Sequence, residues 1–454
     1  MQDRLSSVLK NCGADYAEVR YEQQDNSRIV YRGKELDDAA TGKFTGGIVR
    51  ACVNGGWATA TFDSLNDLEH QVAVAVEGAK AVGRESTELA EVDPVVAENP
   101  ARLVHDFRGV SLDEKLKLAG SYNEILLKSD DAIETTTVQY FEKFRTVHFA
   151  NSRGTYFMEE RPQVGISLRA TARDGSQTQR AQNGFSSATS YDVVTGLEEE
   201  TQKIADRAVA LLKAPSCEGG KYTVILDPSL GGVFAHEAFG HLSEADFLYE
   251  NPQMRDLMHT GREMGVKQLN IVDDGSMGSL IGTQSMDDEG TPTGKTYLIK
   301  DGVLAGHLHS LETAAKMGEE PTGNARALGR SNAPIVRMTN TYIEGGDKSF
   351  DELIADVDDG IYACDMFGGQ TMMEMFTFSA AYGYRIRNGQ VGELIRDVVL
   401  TGNVFETLHG IDGFGNDMRM LEKTGGCGKG GQAPLPVTFG SPHLRIRDVV
   451  VGGQ

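Results

Sequence analysis

The chain has 454 residues, of which 40% are hydrophobic and 24% charged, and its formal net charge is −22. These proportions are typical of a globular protein with two or three domains. A surface this acidic repels nucleic-acid phosphates, which excludes direct binding of DNA or RNA. The chain has five scattered cysteines without a C-x-x-C pair, no signal segment and no membrane-spanning run. These features predict a cytoplasmic protein with no membrane partner.

The first half of the chain, residues 1–215, predicts an α+β domain of antiparallel strands with helices. Alternating runs surround Asn54-Gly55, which predicts a β-hairpin. Thr195 and Glu198 have the spacing of a capping box at the start of a helix. The order of strands followed by a helix occurs twice, which fits either an internal duplication or an ordinary α+β domain.

The second half, residues 216–454, predicts a mostly-β domain that carries one functional helix. The run KYTVIL predicts a strand, and TYLIKDGVLAGHLHS predicts a hairpin that turns at Asp301-Gly302. A short helix is predicted near Leu311–Met317. We therefore predict two domains, 1–215 and 216–454, in an α+β protein.

The functional helix is GGVFAHEAFGHLSEAD, Gly231–Asp246, which contains the pattern H-E-x-x-x-H. Glu237, next to a metal-binding histidine, would be placed to accept a proton from water. Histidines five residues apart lie about 140° apart on a regular α-helix, too far for one ion. We therefore predict a π-bulge, with Gly240 as the residue that deforms, which brings His236 and His241 together. The alternative is a core helix with incidental histidines.

A catalytic zinc site needs a third protein ligand and an open position. Cys427 lies in the glycine-rich segment TGGCGKGGQAPLP, Thr424–Pro436, which could bring a thiolate close to the helix. Lys429 would favour the ionised sulfur. The alternative is a buried free cysteine in a turn, but together with the histidine pattern Cys427 is the leading candidate for the third ligand.

Several motifs are similar to those of the TldD/PmbA family. HEAFGHLSEAD resembles the family segment H-E-A-x-G-H-x-x-E-x-D, and GGCGKGGQ resembles its loop G-x-C-G-K-x-G-Q. DDEGTPTGKTYLIKDGVLAGHLHS, PTGNARA and FSAAYGYRIRNGQ resemble further family segments in the same order. The resemblance is dense from about residue 221 to residue 440 and looser in the first half.

The chain keeps both the HExxxH motif and the cysteine loop, so it resembles the TldD half of the family. The PmbA (TldE) half has the same fold without the metal ligands. The resemblance implies one zinc ion per chain, held by His236, His241 and Cys427, with Glu237 as the general base.

Two acidic residues follow the second histidine of the motif. Glu244 lies one turn after His241 and is a candidate for orienting its ring. Asp246 also matches a family position, without a defined role. The alternative is that both acids cap or solvate the end of the helix.

The family resemblance implies a zinc-dependent peptidase that hydrolyses small or unfolded polypeptides, in peptide maturation or antitoxin degradation. It also implies a dimer with a PmbA/TldE-like subunit or with a second copy of the chain. A non-catalytic peptide-binding or scaffold subunit with a structural metal is the alternative function. The peptidase is favoured because a binding module has no need for Glu237.

Two further features have a less specific pattern. His307 and His309 are two residues apart, and we interpret them as partly exposed strand residues and not as a metal site. The methionines near the middle of the second half are predicted to be core residues and not the lining of a substrate channel; they are Met366, Met372, Met373 and Met375.

Overall fold

The structure is a computed structural model that describes residues 1–452. It is an α+β protein with 25% helix and 44% strand, which confirms the predicted fold class. Within residues 1–452, no helix is both long and apolar enough to cross a membrane.

The N-terminal half is built on one sheet, in which all pairs except one are antiparallel. Its strands are β1 (Tyr16–Arg32), β2 (Glu35–Val53), β3 (Gly56–Phe62), β4 (Val96–Asn99), β5 (Ile133–Asn151), β6 (Tyr156–Asp174) and β7 (Gln177–Ser187). The order across the sheet is β3-β2-β1-β5-β6, and both β4 and β7 pair with β6. Asn54 and Gly55 form the turn between β2 and β3, with φ of 47° and 70°, so the predicted hairpin is confirmed.

The element order of the N-terminal half repeats. Its helices are α1 (Gln2–Leu9), α2 (Leu68–Val82), α3 (Leu112–Lys128) and α4 (Glu198–Lys213). A helix, three strands and a helix occur as α1-β1-β2-β3-α2 and again as α3-β5-β6-β7-α4. The antiparallel pair β1–β5 joins the two sets at the middle of the sheet. The repeated order expected from the sequence is therefore present in the fold.

The capping box predicted for α4 is wrong. The residue before the helix is Leu197, which supplies no side-chain cap. Thr195 donates its hydroxyl to the carbonyl oxygen of Asp192 instead, because it closes the preceding 3₁₀ turn.

The C-terminal half contains a barrel and a second sheet. Its strands are β8 (Gly220–Leu226), β9 (Ile271–Asp274), β10 (Lys295–Lys300), β11 (Val303–Leu304), β12 (Ala325–Arg326), β13 (Ile335–Val336), β14 (Asn340–Ile343), β15 (Asp359–Met372), β16 (Met375–Arg387), β17 (Gln390–Ile395), β18 (Val399–Asn403), β19 (Ile411–Phe414), β20 (Arg419–Leu421), β21 (Cys427–Lys429), β22 (Gln432–Leu435), β23 (Thr438–Ser441) and β24 (Leu444–Gly452). Strands β15, β8, β24, β18 and β16 pair in that order, and β16 pairs back with β15 to close the barrel. The second sheet has the order β11-β10-β9-β14-β23-β20. The predicted mostly-β character of this half is confirmed.

The helices of this half are short. They are α5 (Pro228–Phe234), α6 (Ala245–Tyr249), α7 (Pro252–Leu257), α8 (Leu311–Met317), α9 (Phe350–Ile354) and α10 (Val404–His409). Helix α5 packs between the barrel strand β15 and strand β23 of the second sheet. Phe234 at its end makes edge contacts with Phe376 and Phe378 of the barrel, at ring-centroid distances of 5.6 and 6.3 Å. The motif helix therefore starts inside the largest hydrophobic core.

Buried ion pairs join the N-terminal sheet to the C-terminal half. Arg161 Nη1 lies 2.8 Å from Asp288 Oδ1, and Arg50 Nη1 lies 3.0 Å from Glu289 Oε1. The second oxygen of Asp288 accepts the backbone N–H of Ala327 at 2.7 Å. Removing one partner of such a pair leaves an unpaired buried charge, at a cost of about 3–5 kcal/mol. We retain 1–215 and 216–454 as the proposed domains, and these pairs hold their facing surfaces in place.

The predicted core position of the methionine cluster is wrong. Met372, Met373 and Met375 have exposed fractions of 70%, 54% and 50%. They lie at the tip of the β15–β16 hairpin, whose end pair is Met372 with Met375. Only Met366 of the cluster is half-buried, at the wall of a cavity described below.

Candidate metal centre

The motif helix changes its hydrogen-bonding pattern at the first histidine. Asp227 caps the start of α5 by accepting the N–H of Leu230 at 2.8 Å. A π-helical turn follows directly from Ala235 to Gly240, so the predicted π-bulge is confirmed. The extra residue in this turn brings the rings of His236 and His241 to a centroid distance of 5.2 Å.

Gly240 is required for close packing and not for backbone freedom. Its φ of −57° and ψ of −49° are ordinary helical values, so the predicted reason for this glycine is wrong. A Cβ at this position would lie 2.0 Å from Sδ of the fully buried Met338.

The substitution Gly240→Ala is therefore expected to destabilise the protein by about 1–3 kcal/mol, because the core must shift to admit the methyl group. Chemical denaturation measures the change in the free energy of unfolding. Gly109→Ala is the matched control, because a Cβ there meets nothing within 4 Å. Equal stabilities of the two variants would contradict the packing role of Gly240.

Cys427 is held beside the motif helix by a tight hairpin of β21 and β22. A Cβ on the preceding Gly426 would lie 2.3 Å from the carbonyl oxygen of Leu435, so only glycine permits this close approach. The fully buried Arg337 donates to the carbonyl oxygens of Cys427 and Gln432, at 2.8 and 3.2 Å. These contacts fix the position of the thiol.

The structure brings the three predicted ligands together. One ligand atom each from His236, His241 and Cys427 lies within 4.8 Å of the other two. His241 Nε2 is 3.3 Å from Cys427 Sγ. Ordinary zinc bond lengths place such a pair about 3.6 Å apart in tetrahedral geometry. Within residues 1–452, neither buried ring nitrogen of His236 has a hydrogen-bond partner. An imidazole left in this way fits a metal ligand.

The charges of the three groups depend on one another. Burial alone would raise the pKa of Cys427, but the positive charges of His236 and His241 outweigh it and lower that pKa to about 5. Burial would lower the pKa of His241, yet the carboxylate of Glu244 and the sulfur of Cys427 raise it well above its ordinary value. These charges favour the ionised sulfur, which is the form that binds zinc.

The two acids after the motif form ion pairs, and Glu244 is buried whereas the side chain of Asp246 is 26% exposed. Glu244 Oε2 lies 2.9 Å from His241 Nδ1, so the ring donates to Glu244 and directs Nε2 towards Cys427. The ammonium of Lys429 lies 2.9 Å from the same oxygen and 2.6 Å from Asp246 Oδ1. Lys429 thus neutralises these carboxylates, and the two histidines, instead of Lys429, stabilise the thiolate.

Glu237 points into open space beside the three candidate ligands. Its side chain is 29% exposed, and its Oε2 lies 3.8 Å from His241 Nε2. It lines a cavity of about 680 Å³ together with His236 and Cys427. The carboxylate is therefore accessible to water and to a bound molecule.

The opposite wall of this cavity comes from the N-terminal sheet. Strands β1, β5, β6 and β7 contribute a group of amide side chains, namely Asn26, Gln139, Gln163, Gln182 and Asn183. Sequence reasoning missed this wall, because its residues are spread over four strands without a motif. The available signal was that Asn and Gln recur in all four strands, most densely in the run QTQRAQN of β7.

Three family models match almost the whole chain. PmbA/TldA metallopeptidase domain 1 matches residues 17–84, the central domain matches 105–214, and the C-terminal domain matches 219–453. The chain belongs to the PmbA/TldD family. The resemblance found in the sequence motifs is thereby confirmed.

Relatives of this PmbA/TldD-family chain are named metalloproteases. A metalloprotease of Synechocystis is 43% identical over 97% of this chain and 95% of its own length. A metalloprotease of Methanothermobacter thermautotrophicus is 35% identical over 99% of both chains. A zinc metalloprotease TldD homolog of Saccharolobus solfataricus is 27% identical over 97% of both chains.

Solved structures share the fold of this family member. TldE from Thermococcus kodakarensis has a TM-score of 0.76 at 19% identity, covering 97% of both chains. A proposed modulator of DNA gyrase from Thermotoga maritima has a TM-score of 0.78 at 22% identity, covering 99% of both chains.

Proposed function

We propose that this chain is a zinc-dependent peptidase that hydrolyses peptide bonds in small or unfolded polypeptides. The observation that carries the proposal is the convergence of two imidazoles and a thiolate beside a free carboxylate at a cavity wall. Relatives named metalloproteases support the reaction class.

Each residue of the centre has a separate part in the proposed reaction. His236, His241 and Cys427 would hold one zinc ion. Zinc in such a site supplies a Lewis acid that polarises a carbonyl and makes water more acidic. Glu237 accepts the proton of the attacking water and delivers it to the leaving amine. Glu244 keeps the His241 ring in the orientation that this requires.

The cavity suits an extended peptide. Main-chain N–H and C=O groups can pair with the amide wall, since each Asn or Gln side chain both donates and accepts hydrogen bonds. Recognition through main-chain groups gives weak sequence preference, which fits a role in peptide maturation or antitoxin degradation.

We propose that the chain works in the cytoplasm as one subunit of a dimer. The likeness of its fold to TldE supports a partner of the PmbA/TldE type, and a second copy of the chain is the alternative partner. A soluble polypeptide partner agrees with the net charge of −22, which disfavours nucleic acid.

The proposal predicts that zinc-loaded protein cleaves a chemically unfolded polypeptide, such as reduced and alkylated casein or lysozyme, but not native lysozyme. Cleavage should stop when a chelator is added and return when zinc is added. The assay is run with the chain alone and again after addition of a TldE-type subunit. Peptide products are measured by mass spectrometry. Binding of the unfolded polypeptide without cleavage in either case would favour the non-catalytic scaffold instead.

A further inference from the structure

A second cluster of metal-ligand side chains lies outside the centre described above. His307 and His309 are only 2% and 1% exposed, so the predicted partial exposure is wrong. One ligand atom each from these two histidines and Glu319 lies within 4.8 Å of the other two. His307 Nδ1 is 2.9 Å from Glu319 Oε1, and His309 Nε2 is 3.1 Å from Glu319 Oε2.

The outer nitrogen of each ring is already held by the protein. His307 Nε2 lies 2.7 Å from the carbonyl oxygen of Met258, which can only accept, so this nitrogen carries a proton. With its proton on Nε2, the ring can present the lone pair of Nδ1 to an ion held by the carboxylate of Glu319. His309 Nδ1 lies 3.2 Å from Thr313 Oγ1, and its Nε2 faces the same carboxylate. A nitrogen and a carboxylate oxygen this close need a cation between them, which is either a proton on the ring or a metal ion.

We propose that His307, His309 and Glu319 form a second metal site, for a divalent first-row transition ion such as zinc. Two imidazoles and a carboxylate are a common ligand set for these ions. Their outer nitrogens bond to a carbonyl and a hydroxyl oxygen, as metal-binding histidines do. Glu319 is 27% exposed, which leaves an open side for water ligands and for entry of the ion.

The second site is structural and supports the first. Leu308, between the two histidines, donates its N–H to Ser243 O at 2.8 Å and accepts the N–H of Ala245 at 3.0 Å. This backbone pairing holds the segment that carries Glu244, which orients His241. An ion bound to His307, His309 and Glu319 would also tie the end of α8 to the end of α7, where Met258 lies. The two sites share no ligand.

Titration of metal-free protein with Co²⁺ tests the second site independently of the first. The wild type is expected to bind two equivalents. The site with Cys427 gives an intense thiolate-to-cobalt absorption band, and the second site gives weak ligand-field bands only. Glu319→Gln should bind one equivalent and keep the thiolate band, whereas Cys427→Ser should bind one equivalent without it. Glu320→Gln, at an exposed neighbouring position, is the matched control and should bind two.

One equivalent bound by the wild type together with the thiolate band, or equal binding by Glu319→Gln and the wild type, would overturn the second site. His307 and Glu319 would then form an imidazolium–carboxylate pair with a proton as the cation. The thiolate band of Glu319→Gln reports that this variant is folded. A wild type that binds one equivalent without the thiolate band would contradict the first centre and support the second site.

Discussion

Replacing Glu237 with glutamine is expected to remove peptide hydrolysis while leaving the zinc content unchanged. Glutamine has nearly the same shape but does not accept a proton, and general-base catalysis contributes about 10²–10⁴-fold to a rate. Zinc should stay because Glu237 lies beside the three candidate ligands without being one of them. The two measurements are kcat on an unfolded polypeptide and elemental analysis of the same preparation.

Glu263→Gln is the control for this experiment, because Glu263 is exposed and does not line the cavity. Its kcat and zinc content should match those of the wild type. Hydrolysis by Glu237→Gln at the rate of the wild type would contradict the general-base role of Glu237. Loss of zinc from that variant would instead make Glu237 a ligand. The experiment also separates a peptidase from a scaffold. A scaffold would bind polypeptide equally well with Glu237 or glutamine, because binding needs no proton acceptor.

The π-bulge could be predicted because chemistry constrains it locally. Histidines at the spacing of His236 and His241 share one ion only if the helix gains a residue, so the pattern implies the deformation. The reason for Gly240 could not be predicted in the same way. It depends on Met338, which tertiary folding places against the helix from a distant part of the chain.

The charge partners of Lys429 also could not be predicted from its place in the sequence. Its position two residues after Cys427 suggested that it stabilises the thiolate. In the folded chain its ammonium lies between Glu244 and Asp246, which belong to the motif helix and its continuation. Sequence proximity identifies which charges are available, but the partner of each charge depends on how the segments pack.

Burial was the least predictable property. The methionines are apolar, yet they lie at the tip of the β15–β16 hairpin, where they are exposed. His307 and His309 are polar, yet they lie beneath the surface because each ring nitrogen faces a polar partner, namely Met258 O, Thr313 Oγ1 or the carboxylate of Glu319. Both outcomes depend on neighbours that no local pattern specifies.

Replacing Cys427 with serine is expected to remove one equivalent of zinc. Zinc binds the thiolate form of Cys427, whose pKa is lowered by its charged surroundings, whereas a serine hydroxyl stays protonated under the same conditions. The site would keep two neutral imidazoles, and zinc sites normally have at least three protein ligands. Cys427→Ser should lose peptide hydrolysis together with the metal. Glu237→Gln, in contrast, should lose hydrolysis but keep the metal.

A graded series makes this prediction sharper. Glu244→Gln keeps all three ligands but weakens the hold on the His241 ring, so zinc affinity should fall about 10–100-fold without being abolished. Cys12→Ser removes a half-buried thiol of the N-terminal half and should leave zinc affinity unchanged. Competition with a chromogenic chelator measures all three variants on one scale. We expect zinc affinity to be lowest in Cys427→Ser, intermediate in Glu244→Gln and highest in Cys12→Ser. This order would show that the sulfur binds the metal and that the Glu244 carboxylate acts through the His241 ring. Full zinc affinity in Cys427→Ser would leave the thiolate as a partner of the histidines only, and the third ligand would have to come from another residue at the cavity wall.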